Sequence, residues 1–213
     1  MDSDFTYMTF YSEEERGKSH RLDVATPEEV RLIVAPCQFT AWGVFNMGTS
    51  SIPPGTFLGF YVGDIHKLNG RKVPQDGEYI METDQYIIDA KHRGNWSRFL
   101  NTSSSQRASN VEAFENSTCL NQKDPKWIHD FILKLKGYEV VLFVKKEIKP
   151  RDQLLLFYGD EYLDVMRKED GIGKKEINAT AKQCLSKTYD YGELVQMDDY
   201  VQSVSVFQVN KSS

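Results

Sequence analysis

The chain reads as a mainly β protein with a few short helices, and three features of its 213 residues predict that class. Short apolar runs rich in Val, Ile, Phe and Tyr recur between glycine and proline turn signals. Only brief stretches carry the 3.6-residue apolar period of a helix. Strand-like and helix-like runs do not alternate, so no βαβ sheet is indicated.

Residues 1–25 are polar and charge-rich and read as a tail. Thr26-Pro27-Glu28-Glu29 predicts a helix start, with a Thr cap, Pro at the first helical position and acids in the first turn. That short helix runs toward Val34 and ends before Pro36. Over residues 39–65 the pattern changes to strand-like runs punctuated by Gly43, Gly48, Gly55, Gly59 and Gly63, with a Pro54-Gly55 turn. Residues 67–77 form a polar loop, and 79–81 and 86–89 predict a strand pair. Residues 111–115 and 139–144 read as strands. Between them, 116–137 is an insertion in which Asp124-Pro125 opens a helix with Trp127, Phe131, Ile132 and Leu135 on one face. Lys149-Pro150-Arg151-Asp152 turns the chain into an apolar run over 153–158. After Tyr162 the pattern is helical to about Lys168, then loosens at Gly171-Ile172-Gly173-Lys174-Lys175, where the two lysines read as a solvated loop. Residues 189–207 are rich in tyrosines and acids and hold a last strand. The organisation is thus a tail and short helix (1–36), a main domain (37–163) and a C-terminal segment (164–213).

Composition narrows the function classes. No apolar run approaches the roughly 18–20 residues needed to cross a bilayer, and the acidic start has no secretory h-region. An intracellular, non-membrane protein is the expectation. Cys37, Cys119 and Cys184 are odd in number and widely spaced, which predicts reduced thiols rather than a disulfide framework or a zinc site. His20, His66, His92 and His129 show no ligand spacing, so no metal is expected. A net charge of −5 argues against nucleic-acid binding and suits a basic peptide partner.

Two segments stand apart from ordinary strands. Asn95-Trp96-Ser97-Arg98-Phe99-Leu100-Asn101 sets polar groups that must be hydrogen-bonded among aromatics. Leu154-Leu155-Leu156-Phe157-Tyr158-Gly159-Asp160-Glu161-Tyr162 drives an apolar run into a Tyr-Gly-Asp turn. They read as two walls of one site.

With Ala41-Trp42-Gly43-Val44-Phe45 and Gly59-Phe60-Tyr61-Val62-Gly63-Asp64 before them, these segments resemble, in order, the SET-domain protein-lysine methyltransferases. Tyr86-Ile87-Ile88-Asp89-Ala90 and Ile148-Lys149-Pro150-Arg151-Asp152-Gln153-Leu154 extend the match. Asn95-Trp96-Ser97-Arg98-Phe99-Leu100-Asn101 without a following His, Asn110-Val111-Glu112-Ala113-Phe114, and the Tyr-Gly-Asp-Glu-Tyr ending are closer to the PR/SET branch. The resemblance implies a β-clip arrangement of short curved sheets, S-adenosylmethionine as cofactor, and a histone or other basic protein as substrate, with the nucleus favoured. It implies Tyr158 as the catalytic tyrosine and Tyr61, Tyr86, Phe157 and Tyr191 as walls of a lysine channel. Ala41, Trp42, Gly43, Arg98, Phe99 and Asn101 would hold the cofactor.

The departures point to a second reading. Thr102 stands where the family has His, Leu156 where it often has Tyr, and no downstream cysteine cluster closes the channel. Substitutions of this kind suit a weak or inactive interaction module, and the tail tyrosines 189, 191 or 200 would have to close the site. Thr188-Tyr189-Asp190-Tyr191-Gly192-Glu193 is a rival location for the catalytic tyrosine, but it lacks the apolar run and Ile-Lys-Pro turn that precede Tyr158. Trp42, Tyr61 and Tyr86 also suit plain core packing.

Overall fold

The computed structural model describes residues 6–7, 24–25, 31–37, 42–68, 79–115, 133, 137–169, 171–181, 204–205 and 208–209. In chain order the strands are β1 (Thr6–Tyr7), β2 (Val24–Ala25), β3 (Arg31–Pro36), β4 (Trp42–Asn46), β5 (Phe57–Tyr61), β6 (Asp64–Lys67), β7 (Ile80–Glu82), β8 (Tyr86–Asp89) and β9 (Arg93–Gly94). After a 3-10 helix (Trp96–Phe99) come β10 (Asn101–Thr102), β11 (Val111–Phe114), β12 (Val140–Val144) and β13 (Leu155–Leu156). Helices α1 (Asp160–Glu169) and α2 (Lys174–Ala181) follow, then β14 (Val204–Ser205) and β15 (Gln208–Val209). The mainly β class is what the sequence predicts. The chain divides into two units: Met1–Leu22, Gly59–Arg98 and Ala113–Leu142 in one, and Asp23–Leu58, Phe99–Glu112 and Phe143–Ser213 in the other.

In the first unit β6, β8 and β7 form an antiparallel sheet in that order, with Asp64 and Ile80 both opposite Asp89. Tyr61, Ile88, Ala90 and Val140 form its core, flanked by Tyr79, Met81 and Ala113. Strand β1 pairs with β9 in parallel.

In the second unit β3 and β4 pair antiparallel from Leu32↔Asn46 to Pro36↔Trp42, and β14 adds to the other edge of β3. This corrects the helix expected to run toward Val34. Leu32, Ile33, Val34 and Ala35 are all buried, and such a continuous, β-branched run suits a strand covered on both faces. Pro36 is tolerated because it ends the strand. The helix start at residues 26–29 lies outside the described residues. Buried Asn46 is fully employed: its Nδ2 donates to the Ser50 and Ile148 carbonyls and its Oδ1 accepts the Gly48 N–H.

Strands β5, β11 and β12 form a sheet with β12 in the middle, and all five β12 residues are buried. The predicted runs at 42–45, 86–89, 111–115 and 139–144 each appear as strands. The run at 153–158 keeps ladder pairing only at Leu155–Leu156, where β13 lies parallel to β10.

Helix α1 begins at Asp160, earlier than the sequence suggests, because Gly159 (φ 96°) turns the chain into it. Asp160 and Glu161 in its first turn and Arg167 and Lys168 in its last complement the helix dipole. Lys174 and Lys175 are exposed as expected but belong to α2, not to a loop, with Glu176 Oε2 accepting the Gly173 N–H at the helix start. Leu163, Met166 and Ile177 pack the two helices together, joined by Phe157, Tyr162 and Ile172. The last strand expected within 189–207 is represented by β14. The helix expected from Asp124 lies outside the described residues.

Asn110 clamps β13. Its Oδ1 accepts the Leu155 N–H at 2.7 Å, its Nδ2 donates to the Gln153 carbonyl at 2.8 Å, and its backbone N–H donates to the Leu155 carbonyl at 3.1 Å. Asn110→Ala should therefore lower the free energy of unfolding by about 1–3 kcal/mol, since it strands two backbone groups. Urea denaturation checks this, with a lower midpoint at unchanged slope expected; an unchanged midpoint would dispose of the clamp.

Candidate active site

In the second unit the parallel β10–β13 pair sets Asn101 opposite Leu155 and Thr102 opposite Leu156. The chain leaving β13 is thereby carried past the end of the 3-10 helix. There the Tyr158 hydroxyl donates to the Leu100 carbonyl at 2.7 Å, across 58 residues of sequence. The Tyr158 N–H donates to Thr102 Oγ1 at 3.4 Å, and the ring meets Tyr162 edge-on with centroids 5.1 Å apart. Tyr162 sits in the first turns of α1, so the Gly159 turn sets both the helix direction and the ring contact. With its hydrogen donated to Leu100, the Tyr158 hydroxyl oxygen can act toward a further group only as an acceptor.

The two walls read from the sequence therefore do meet, at Leu100–Thr102 and Tyr158. Thr102 has a function the sequence did not reveal: its hydroxyl oxygen holds the backbone of Tyr158. Leu156 is buried, and its carbonyl accepts the Ser103 N–H at 3.0 Å. Phe157 and Phe99 are half-buried.

Beside this lies a polar cluster around Gly43. The Asn101 Nδ2 donates to the Trp42 carbonyl at 3.0 Å and reaches Cys37 Sγ at 3.5 Å. Gln153 Nε2 donates to the same sulfur at 3.3 Å. A Cβ at Gly43 would collide with Gln153 Nε2 and lie 2.5 Å from Cys37 Sγ and 2.9 Å from Asn101 Nδ2. Glycine is needed there because three side chains close on the strand, which is what lets the Asn101 amide span to the Trp42 carbonyl. Neither Cys37 nor Gln153 was singled out from sequence. The available signal was the Ala35↔Gly43 register, which needs β3 to be read as a strand.

Of the remaining residues singled out from sequence, Arg98, Tyr61 and Tyr86 belong to the first unit. In the first unit Arg98 is buried, with its guanidinium 3.9 Å from the centre of the Tyr79 ring. Tyr61, 2% exposed, donates its hydroxyl to the Tyr79 carbonyl at 2.8 Å. Tyr86 packs edge-on against Tyr138 at 5.9 Å. Tyr79 itself has φ 65°, a left-handed conformation costly for an aromatic residue. Asn95, the start of the first wall, is satisfied within the unit: its Nδ2 donates to the Phe60 carbonyl and its Oδ1 accepts from the Ser97 backbone and hydroxyl. Ala41 and Tyr191 lie outside the described residues. Among the described residues no group of three or more His, Cys, Asp or Glu could hold a metal ion.

Comparison with known proteins follows this geometry. The family model described as SET domain matches residues 41–159, from the residue before β4 to the Gly159 turn. The histone-lysine N-methyltransferase EHMT1 of Homo sapiens is 28% identical over 132 residues, 60% of this chain and 9% of that protein. Its Mus musculus counterpart is 28% identical over 143 residues, 65% of this chain and 10% of that protein. The chain thus spans about a tenth of the length of these curated relatives. Among solved structures, KRYPTONITE in complex with mCHH DNA, an H3(1-15) peptide and SAH aligns with a TM-score of 0.42 and 26% identity, over 59% of this chain and 22% of that one. KRYPTONITE with mCHG DNA and SAH gives 0.41 and 27%, over 59% and 23%.

Gly43→Ala should destabilise the protein by about 1–3 kcal/mol, as forced overpacking does, and the same substitution should weaken whatever ligand the Trp42–Asn101 segment binds. Thermal unfolding beside that of the parent chain checks the first point. A variant as stable as the parent would mean that the three side chains retreat at no cost.

Proposed function

The chain belongs to the SET-domain family, and on that premise we propose that it is an S-adenosylmethionine-dependent protein-lysine N-methyltransferase acting on a histone or another basic protein segment. The observation that carries this reading is the Tyr158 hydroxyl held at 2.7 Å from the Leu100 carbonyl, one residue before Asn101. An aromatic hydroxyl locked beside the segment that resembles the family's cofactor-holding run is the arrangement methyl transfer asks for. We place the protein nearest the PR/SET branch and in the nucleus on the sequence resemblance.

The residues present suit the cofactor. The Trp42 carbonyl and the Asn101 Oδ1 are acceptors that suit the ammonium of its amino-acid end, and the half-buried rings of Trp42 and Phe99 suit its adenine. When bound, the cofactor supplies a methyl group on a sulfonium sulfur, to be displaced in line by a neutral amine. The protein's part is to present lysine uncharged and aligned. Burial among Phe157 and Tyr158 disfavours the ammonium form, and the Tyr158 oxygen orients the amine and complements the positive charge carried by the methyl group. The mild net negative charge of −5 favours approach of a basic segment. The C-terminal segment, including Tyr191, would then close the channel.

Incubation with labelled S-adenosylmethionine and a panel of histones and basic peptides tests the reading. Transfer to lysine is expected, and Tyr158→Phe should lower kcat by about 10²–10³-fold, the usual cost of one preorganised hydroxyl or oxyanion-type group, while Tyr191→Phe retains it. No cofactor binding by calorimetry together with no transfer would instead establish the interaction-module reading. Loss of activity in Tyr191→Phe but not in Tyr158→Phe would move the catalytic tyrosine to the tail.

A further inference from the structure

We infer that Cys37 is a peroxide-sensitive modification site, oxidised by a hydroperoxide to a sulfenic acid that Gln153 is placed to hold. Two observations carry this. The first is the environment of the sulfur. Cys37 is half-buried, and its Sγ receives N–H groups from Gln153 at 3.3 Å and Asn101 at 3.5 Å. Both contacts are donors, which complement the thiolate, the nucleophilic form of cysteine. Against Gly43 there is no slack, since a single carbon added there would lie 2.5 Å from the sulfur.

The second is an acceptor without a donor. Gln153 is 2% exposed, and among the described residues its Oε1 has no hydrogen-bond partner although its Nε2 is engaged at the sulfur. A buried amide oxygen left unmatched is costly, and native proteins rarely tolerate one without a reason. A thiol offers only a weak S–H donor. A sulfenic acid places an O–H donor one bond beyond the sulfur, in reach of an amide already in contact with it.

The step is balanced. The thiolate attacks the distal oxygen of the hydroperoxide, an S–O bond forms and the O–O bond breaks. The sulfur loses two electrons, and the leaving alkoxide or hydroxide takes a proton from water. The new oxygen then competes for the Asn101 Nδ2, the group that also holds the Trp42 carbonyl at 3.0 Å. Oxidation therefore loosens the segment proposed to hold the cofactor. This consequence rests on the methyltransferase reading; the modification itself does not.

The experiment uses the full reduced chain, hydrogen peroxide, and a cyclic 1,3-diketone that traps sulfenic acids, read by peptide mass spectrometry at all three cysteines. Cys37 should be labelled about tenfold faster than Cys119 or Cys184, a difference of 1.4 kcal/mol in activation. Gln153→Met, close in size but without the amide, should cut the trapped yield about fivefold, the worth of one hydrogen bond. Equal labelling at the three cysteines overturns the assignment in the parent chain alone, whether or not the variant folds, and an unaffected yield in folded Gln153→Met overturns the role of the amide. Calorimetry with S-adenosylmethionine separates the two readings. Binding should weaken about tenfold on oxidation of the parent and should not respond to peroxide in Cys37→Ala. Failure of the reduced parent to bind sinks the proposed function and leaves the labelling result standing. Binding that oxidation leaves unchanged sinks the coupling.

Discussion

The second unit depends on a parallel pairing of only two residues per strand, Asn101–Thr102 against Leu155–Leu156. Parallel ladders are slightly weaker per residue than antiparallel ones, and one this short cannot hold by itself. Side chains supply what the ladder lacks. Asn110 binds the backbone on both sides of Leu154, and Thr102 receives the Tyr158 N–H. Everything at the candidate site follows, since the Tyr158 hydroxyl reaches Leu100 only if β13 exits beside β10.

That dependence explains the odd composition of the first wall. A long strand satisfies its polar backbone through the ladder and can be apolar throughout, as β12 is. Where pairing lasts two residues, neighbouring carbonyls and N–H groups need other partners, and only amide and hydroxyl side chains can supply both donors and acceptors. Asn101, Thr102 and Ser103 are buried for this reason. The polar–aromatic mixture legible in the sequence is thus first a consequence of short strands, and the chemistry is built on it.

Much of the β framework could be read from glycine-punctuated runs, and the meeting of 95–101 with 154–162 could be read from the need of buried polar groups for partners. What could not be read were contacts that depend on register. Thr26-Pro27-Glu28-Glu29 carries sound local helix signals, yet residues 31–36 form a strand because β4 and β14 cover both of its edges, and tertiary pairing outweighs a cap worth about 1 kcal/mol. With β3 misread, Cys37 had no reason to lie beside Gly43. Thr102 looked like a loss measured against a family pattern, because nothing in one sequence tells which backbone N–H its hydroxyl will meet.

The same thinness of pairing bears on how the unit responds to change. In a long ladder one lost side-chain hydrogen bond is absorbed by its neighbours, whereas here one Asn101 amide meets both the Trp42 carbonyl and the Cys37 sulfur. Because Gly43 leaves no room and Gln153 and Asn101 share the sulfur as acceptor, displacement of one amide is transmitted to the other. Residues sharing partners in this way couple by 0.5–3 kcal/mol or so rather than adding independently. Effects at Cys37, Gly43, Asn101 and Gln153 are therefore properties of one cluster, and that cluster touches β4 at Trp42 and β10 at Asn101, both within the residues matched by the family model. Chemistry at the sulfur is felt at the Trp42 peptide group because one Asn101 amide touches both.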